Sequence, residues 1–368
     1  MSVLLLTRSL WSEPPRLRTQ VAELLLDSHH KVFFAERPSV LGTSEFMEGQ
    51  RVRVISDQLT LLSQKELLHH QLRILPTLHH FNAAFSSRML HHVLAKLPAN
   101  GSQQFQHVIN FNYDAFWLRR LFPDLPITTI INDDFEALGR LPFHGHLTWA
   151  LSRTCAMSDR VMAVSQPLLD RLALWSNPEL FLPWSNKPYF APSGQKKRNV
   201  VLFWGFINDR IDAEAILHAL PLIAQAGFKL RFVGPVQSSG VQLRKRLHSH
   251  PAIDWQDTCC FADLDTSDCF AAIIPYRLNC PGVEAIQLSN KALQLLSCGL
   301  PLIISSMPHF HRADYVLAYG STTYPRLINA IHAAASHFEA FQPAIESFVA
   351  ANGPQQRLAQ LLSSGCGD

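Results

Sequence analysis

The sequence predicts an α/β protein built from two Rossmann-like domains facing one cleft. Three observations carry this. Short apolar runs alternate with helical stretches along the chain, as βαβ units do. The alternation restarts after PYFAPSGQKKR, residues 188–198, whose prolines, glycine and cations mark a boundary. The chain has 368 residues, enough for two domains of ordinary size.

The N-terminal domain is expected over residues 1–190. SVLLLT is an apolar strand, RSLWSEPPRLRTQ the loop after it, QVAELLLDSHH a helix and KVFFAE the second strand. This opening lacks the GxGxxG fingerprint, which argues against a nicotinamide or flavin enzyme. In RVRV, Arg51 and Arg53 alternate with Val52 and Val54, as on a half-exposed edge strand. Residues 63–97 are helical in pattern, with leucines interleaved by Arg73, Arg88, Lys96 and histidines. Two readings fit: core helices with a polar outer face, or a cationic amphipathic surface resting on an anionic bilayer. HVINFN and LPITTII are further strands, and Asn132-Asp133-Asp134 puts two carboxylates at the carboxyl end of the second. Either could instead cap a helix over FEALGRL. SDRVMAVSQPLLDRL reads as a strand, then Ser165, then a helix with Pro167 in its first turn.

The C-terminal domain is expected over residues 196–345. NVVLFWGFI is its first strand, followed by Asn208, Asp209 and Arg210. AEAILHALPLIAQAG, KLRFVGP and AIDWQDTCCF continue the rhythm. The stretch 270–306 then reads as strand, loop, helix and strand. Ser289 or Asn290 is the N-cap of NKALQLLSCG, and Gly299 its C-cap. Its loop leaves the carboxyl end of a parallel strand, where open α/β sheets bind ligands. It feeds a helix N-terminus that favours a phosphate. Lys291 in the first helical turn opposes the helix dipole, which points to an anionic ligand, and Arg277 stands at the other end of the same loop. The plainer reading of both is a solvated surface cation.

Composition narrows the classes. Hydrophobic residues make up 47% and charged residues 17%, so a large core is available. No apolar run reaches the roughly 18 residues of a membrane span, and MSVLLLTRSLW reads as a strand rather than a secretory signal. A net charge of +3 without a massed basic run speaks against nucleic acid as partner. Seven cysteines with no CxxC suit a reducing, cytoplasmic setting and argue against structural zinc. The pairs among the 18 histidines, such as His79-His80 and His91-His92, are poor chelates, because helix neighbours do not face the same way. Asp263-Leu264-Asp265 has DxD spacing but precedes a helix-like stretch, so no metal site is expected.

The segment from Tyr276 through (S/P)xKxxxxLxxGxPxI resembles the donor-binding segment of GT-B glycosyltransferases. Lys291 followed by Gln294, with Tyr276 a loop upstream, is most similar to bacterial exopolysaccharide glucuronosyltransferases of the xanthan type. Gln294 stands where many retaining relatives carry a second glutamate, which favours the inverting branch. The resemblance implies a UDP-sugar donor, glucuronate among the candidates, and no cofactor. It implies a glycan or lipid-linked glycan acceptor in cell-surface polysaccharide synthesis, with a peripheral contact at the inner face of the cell membrane. It assigns donor binding to Gly205, Phe206, Arg210, Tyr276, Arg277, Asn290, Lys291 and Gln294. Acceptor binding goes to the first βα loop, with Trp11, Arg16 and Arg18. The base is Asp133 or Asp134, with Asp133 favoured as nearer the strand end; two neighbouring carboxylates raise each other's pKa and help one accept a proton. The last helix, residues 346–368, is expected to pack back on the N-terminal domain. Two other classes share this architecture: a UDP-sugar epimerase and a non-catalytic glycan-binding protein.

Overall fold

The computed structural model describes residues 1–13, 16–48, 51–97, 105–135, 145–186, 188–190, 197–320 and 326–363. Contacts divide the chain into two compact units. One is Met1–Leu182 with Leu358–Asp368, the other Pro183–Arg357.

The first unit runs β1 (Ser2–Leu6), α1 (Leu17–Asp27), β2 (Lys31–Ala35), β3 (Ser39–Val40), α2 (Ser44–Met47), β4 (Val52–Val54), β5 (Leu59–Leu62), β6 (Lys65–Glu66), α3 (Pro76–Leu94), β7 (His107–Asn110), α4 (Leu118–Leu121), β8 (Ile127–Ile131), α5 (Gly145–Met157), β9 (Arg160–Ala163), α6 (Gln166–Leu172) and β10 (Glu179–Leu180). Eight strands form one sheet in the order β10-β9-β8-β7-β1-β2-β5-β4, and only β4 runs antiparallel. Val3 to Leu6 of β1 are fully buried, as a central parallel strand covered on both faces requires. The stretch 63–97 is not helical throughout: β6 and a 3₁₀ turn at His70–Leu72 precede α3, which starts at Pro76 because proline fits a first helical turn. A helix over FEALGRL falls outside the described residues from 136 on.

The second unit runs β11 (Val200–Trp204), α7 (Ala213–Gln225), β12 (Lys229–Val233), α8 (Val241–Leu247), β13 (Ile253–Gln256), β14 (Cys269–Ile274), α9 (Asn290–Ser297), β15 (Leu302–Ser305), β16 (Val316–Tyr319), α10 (Leu327–Ser336), α11 (Phe338–Ala351) and α12 (Pro354–Leu362), the last ending in the first unit. Its six strands are all parallel, in the order β13-β12-β11-β14-β15-β16. That is the doubly wound order, with the chain reversing direction between β11 and β14. The six residues of β14 are all buried, which explains its uninterrupted apolar run. Ile345 and Val349 of α11 belong to this unit's core, and the segment that groups with the first unit begins at Leu358. Among the described residues no helix is long and apolar enough to cross a membrane.

Candidate functional site

In a doubly wound sheet the loops after the two strands flanking the reversal diverge and leave a crevice. In the second unit these are the loops after β11 and β14. They are zipped together: Asp212 N donates to Pro275 O at 2.7 Å, Arg277 N to Arg210 O at 2.7 Å, and Ile211 bridges Tyr276. The loop after β12 joins them, as Ile207 N donates to Pro235 O at 3.0 Å.

Lys291 reaches into this edge from α9. Ser289 caps the helix, its hydroxyl accepting from Ala292 N at 3.1 Å, so Asn290 and Lys291 occupy the first turn. The Lys291 ammonium donates to the Tyr276 hydroxyl at 3.0 Å and lies 4.4 Å from the Phe203 ring centroid and 4.9 Å from that of Tyr276. Aromatic faces hold a cation without neutralising it. Gly205 makes room for it: a Cβ there would lie 3.3 Å from Lys291 Nζ, and its φ of +138° suits glycine. Lys291, Arg210 and Arg277 have no carboxylate partner among the described residues. Asn290 Oδ1 is buried without a hydrogen-bond partner. Phe206 is exposed, and Gln294 is half-buried one turn beyond Lys291. The contacts thus bring Gly205, Tyr276 and Lys291 together and tie Arg210 to Arg277 through the backbone. Trp255, in β13, stacks on Phe232 at 4.8 Å.

In the first unit the sequence pair Asp133-Asp134 separates into two settings. Asp134 is buried and clamped by Arg171, with contacts of 2.5 and 3.0 Å to its two oxygens. Asp133 is exposed, 3.6 Å from the buried Arg18 guanidinium, and accepts from Asn132 Nδ2 at 2.9 Å. Each carboxylate therefore has its own guanidinium, so the expected mutual repulsion is offset at both. Arg18 also donates to Ser9 Oγ at 3.0 Å, so the first βα loop and the end of β8 meet at this residue. Burial lowers the Arg18 pKa below the usual arginine range, against the pull of Asp133. Trp11 is half-buried, its ring edge-on to Phe34 at 5.2 Å and its backbone N–H donating to Glu36 Oε1 at 3.0 Å. Arg16 is exposed beside Glu13 at 4.0 Å. Ser165, between β9 and α6, uses its hydroxyl to cap α6.

The corresponding reversal in the first unit, between β1 and β7, holds a group that the sequence reading passed over. Arg8 follows β1 and pairs with Glu66 at 2.7 Å and Asp114 at 3.0 Å; the fully buried Arg73 pairs with Glu66 at 2.6 Å and also with Asp114. Burial alone would raise the Asp114 pKa, yet Arg8 and Arg73 hold it well below the usual carboxylate range. The available signal was a charge directly after a central strand, at Arg8. Its two acid partners, Glu66 and Asp114, lie far from it in the sequence. Among the described residues no group of three or more His, Cys, Asp or Glu side chains forms a metal site.

The fold and the two strand-reversal edges define a class of protein. No protein-family model matches the chain, and no curated protein matches it in sequence. Solved structures do. The UDP-forming α,α-trehalose-phosphate synthase from Burkholderia vietnamiensis superposes with a TM-score of 0.65 at 12% identity, covering 99% of this chain and 98% of that one. HepE of Anabaena, solved with UDP and glucose, gives 0.64 at 11% identity, covering 98% and 99%. UGT89C1 of Arabidopsis thaliana, solved with UDP-L-rhamnose, gives 0.53 at 9% identity, covering 98% of each. This likeness shows the fold: two Rossmann-like α/β units of the GT-B type.

Proposed function

We propose that the chain is a glycosyltransferase that moves a sugar from a UDP-sugar to an acceptor hydroxyl. The observation that carries this is the set of Lys291, Arg210 and Arg277, three cations without carboxylate partners on or beside the loops that leave β11 and β14. By contrast, the cations at the same edge of the first unit, Arg8 and Arg73, are fully matched by acids. A diphosphate supplies the missing charge, and Asn290 Oδ1 adds an acceptor without a partner for a donor-sugar hydroxyl. Solved structures of the same fold contain UDP or a UDP-sugar.

In this reading Asp133 takes the proton of the acceptor hydroxyl, whose oxygen attacks the anomeric carbon in line. The bond from that carbon to the diphosphate oxygen breaks, and its electron pair leaves with UDP, stabilised by Lys291 and Arg277. The outcome is inversion, with fixed cations in the place a metal would take. Arg18 orients Asp133, and Trp11 and Arg16 border the acceptor. The resemblance of Tyr276, Lys291 and Gln294 points to glucuronate as the sugar and to a glycan or lipid-linked glycan as acceptor, in polysaccharide synthesis on the cytoplasmic side of a membrane.

The test is incubation of the purified chain with a panel of UDP-sugars, with and without glycan acceptors. Acceptor-dependent UDP release supports the transferase, whereas isomerised sugar without acceptor would make it an epimerase. Lys291→Ala should weaken UDP binding in calorimetry by about 1–3 kcal/mol; an unchanged affinity removes Lys291 from the site.

A further inference from the structure

The ring that holds Lys291 belongs to a row of aromatic side chains crossing the second unit's sheet. In the parallel register of β11, β12 and β13, Phe203 pairs with Phe232 and Phe232 with Trp255. Side chains paired in this way stand beside one another on adjacent strands. Their rings touch: Phe203 and Phe232 have centroids 5.4 Å apart, and Phe232 stacks on Trp255 at 4.8 Å. A cation closes each end of the row. The Lys291 ammonium lies 4.4 Å from the Phe203 centroid, and the Arg244 guanidinium lies 5.6 Å from that of Trp255. Phe203 and Phe232 are both fully buried. In the sequence, Phe203 is one more apolar residue of the run VVLFW, and nothing local sets it apart from the core.

Arg231 of the same unit shows the other way to fix a cation. It pairs with Asp254 at 2.6 Å and Asp268 at 2.7 Å, and its charge is spent on them. A ring face attracts an ammonium through its quadrupole and brings no formal negative charge. What such a face supplies is order. A lysine stem is flexible, and a ligand that must immobilise a free one binds more weakly. Lys291 loses that freedom when the fold forms. Besides the Phe203 face, the Tyr276 ring lies 4.9 Å from its ammonium, and the Tyr276 hydroxyl accepts from it at 3.0 Å. The stem crosses the space that Gly205 leaves open, with Cδ 3.4 Å and Nζ 3.3 Å from where a Cβ would stand. Phe232 and Trp255 brace the Phe203 ring from behind.

We propose that Phe203 is a positioning residue for sugar transfer: its ring face holds the Lys291 ammonium, with its charge unspent, where the donor's diphosphate arrives. Phe203 touches no substrate and acts through Lys291. The inference rests on the proposed function, since it needs a diphosphate for Lys291 to receive. It goes further by placing part of the donor affinity in a buried side chain of the central strand β11. Two consequences separate this role from plain packing. A ring of the same shape with less electron density on its face holds the ammonium less firmly. And the ring's electron density stops mattering once residue 291 carries no charge.

The experiment replaces Phe203 in the full chain by phenylalanines bearing one, two or three ring fluorines and measures UDP binding by calorimetry. Fluorine draws electron density from the ring face and changes its shape little. Affinity is expected to fall with each fluorine, to about fivefold below wild type at three, with melting temperatures close to wild type. The same series at Phe232, equally buried but separated from Lys291 by Phe203, should leave UDP affinity unchanged. So should the Phe203 series in a Lys291→Met background, relative to Lys291→Met alone. A flat Phe203 series overturns the proposal and leaves the role of Lys291 standing. Equal losses at Phe203 and Phe232 overturn it in favour of packing. Tighter binding with each fluorine overturns it too, because the ring would then compete with the diphosphate for the ammonium. No UDP binding by the wild type sinks the proposed function and this inference with it, a result distinct from a flat series.

Discussion

Asp133 and Asp134 are neighbours in sequence and opposites in setting. Asp134 is buried with both oxygens occupied by Arg171, so its lone pairs are spent within the fold. Asp133 is 47% exposed at its side chain and lies 3.6 Å from one guanidinium, so solvent and a bound hydroxyl can reach it where Asp134 is enclosed. Asp133→Asn is therefore expected to lower kcat by about 10²–10⁴-fold, the usual contribution of a positioned base, with an unchanged melting temperature. Asp134→Asn should do the reverse, destabilising the first unit while leaving kcat within a few-fold. Turnover at saturating donor, set beside thermal melts, checks both, and the opposite pattern would move the base to Asp134. The sequence made the pair legible as two carboxylates at a strand end. It left the choice open because Arg171 lies 37 residues from Asp134, and only the folded sheet brings them together. The cluster of Arg8, Glu66, Arg73 and Asp114 was illegible for the same reason: four side chains from four segments carry no local spacing.

At the scale of elements, apolar runs were enough to read the buried central strands such as β1, β8 and β14, because parallel strands buried on both faces admit little else, whereas the short β3, β6 and β10 carry no such run. The strand–loop–helix from Phe270 to Ser306 was readable as elements; of the two N-cap candidates Ser289 caps the helix, and the C-cap is Cys298, one residue before Gly299. What the pattern did not reveal is how loops from different strands close on one another. Gly234 shows the point. Its φ is +141°, and a Cβ there would lie 2.2 Å from Gly205 O, so the loop after β12 lies directly against the loop that seats Lys291. Gly234→Ala is expected to cost about 2–3 kcal/mol from backbone strain alone and, by displacing Gly205, to weaken UDP binding as well. Gly227→Ala is the control: its φ is +73° with no atom within 4 Å of a Cβ, so strain is all it adds. Urea unfolding and UDP calorimetry on both variants separate strain from displacement. Equal effects at the two glycines would mean that the approach to Gly205 has no bearing on the donor loop.

At the scale of the whole molecule, the chain leaves the first unit after Leu182 and rejoins it at Leu358. The sequence suggested a return from residue 346, because nothing local distinguishes the amphipathic pattern of α11 from that of α12; burial of Ile345 and Val349 in the second unit's core keeps α11 there. What fastens the returning segment is Arg160, at the start of β9. Its guanidinium donates to the carbonyl oxygens of Gln360 at 2.9 Å, Leu361 at 3.3 Å and Ser363 at 2.7 Å, while pairing with Glu179 at 2.7 Å. Gln360 returns a bond of 2.6 Å to Leu180 O. A single arginine thus supplies donors to the carbonyls that a helix C-terminus leaves unpaired. Hydrogen bonds from a charged donor contribute about 1.5–3 kcal/mol, so Arg160→Met should free the end of α12 without unfolding β9, whose neighbours in the sheet are unaffected. Trypsin reports this directly, because Arg357 lies within α12. Cleavage after Arg357 is expected to accelerate more than tenfold in Arg160→Met, with the rest of the tryptic map and the melting temperature close to wild type. If that cleavage rate stays the same, the segment is held by the packing of Leu361, which is fully buried, and the arginine is dispensable to the strap.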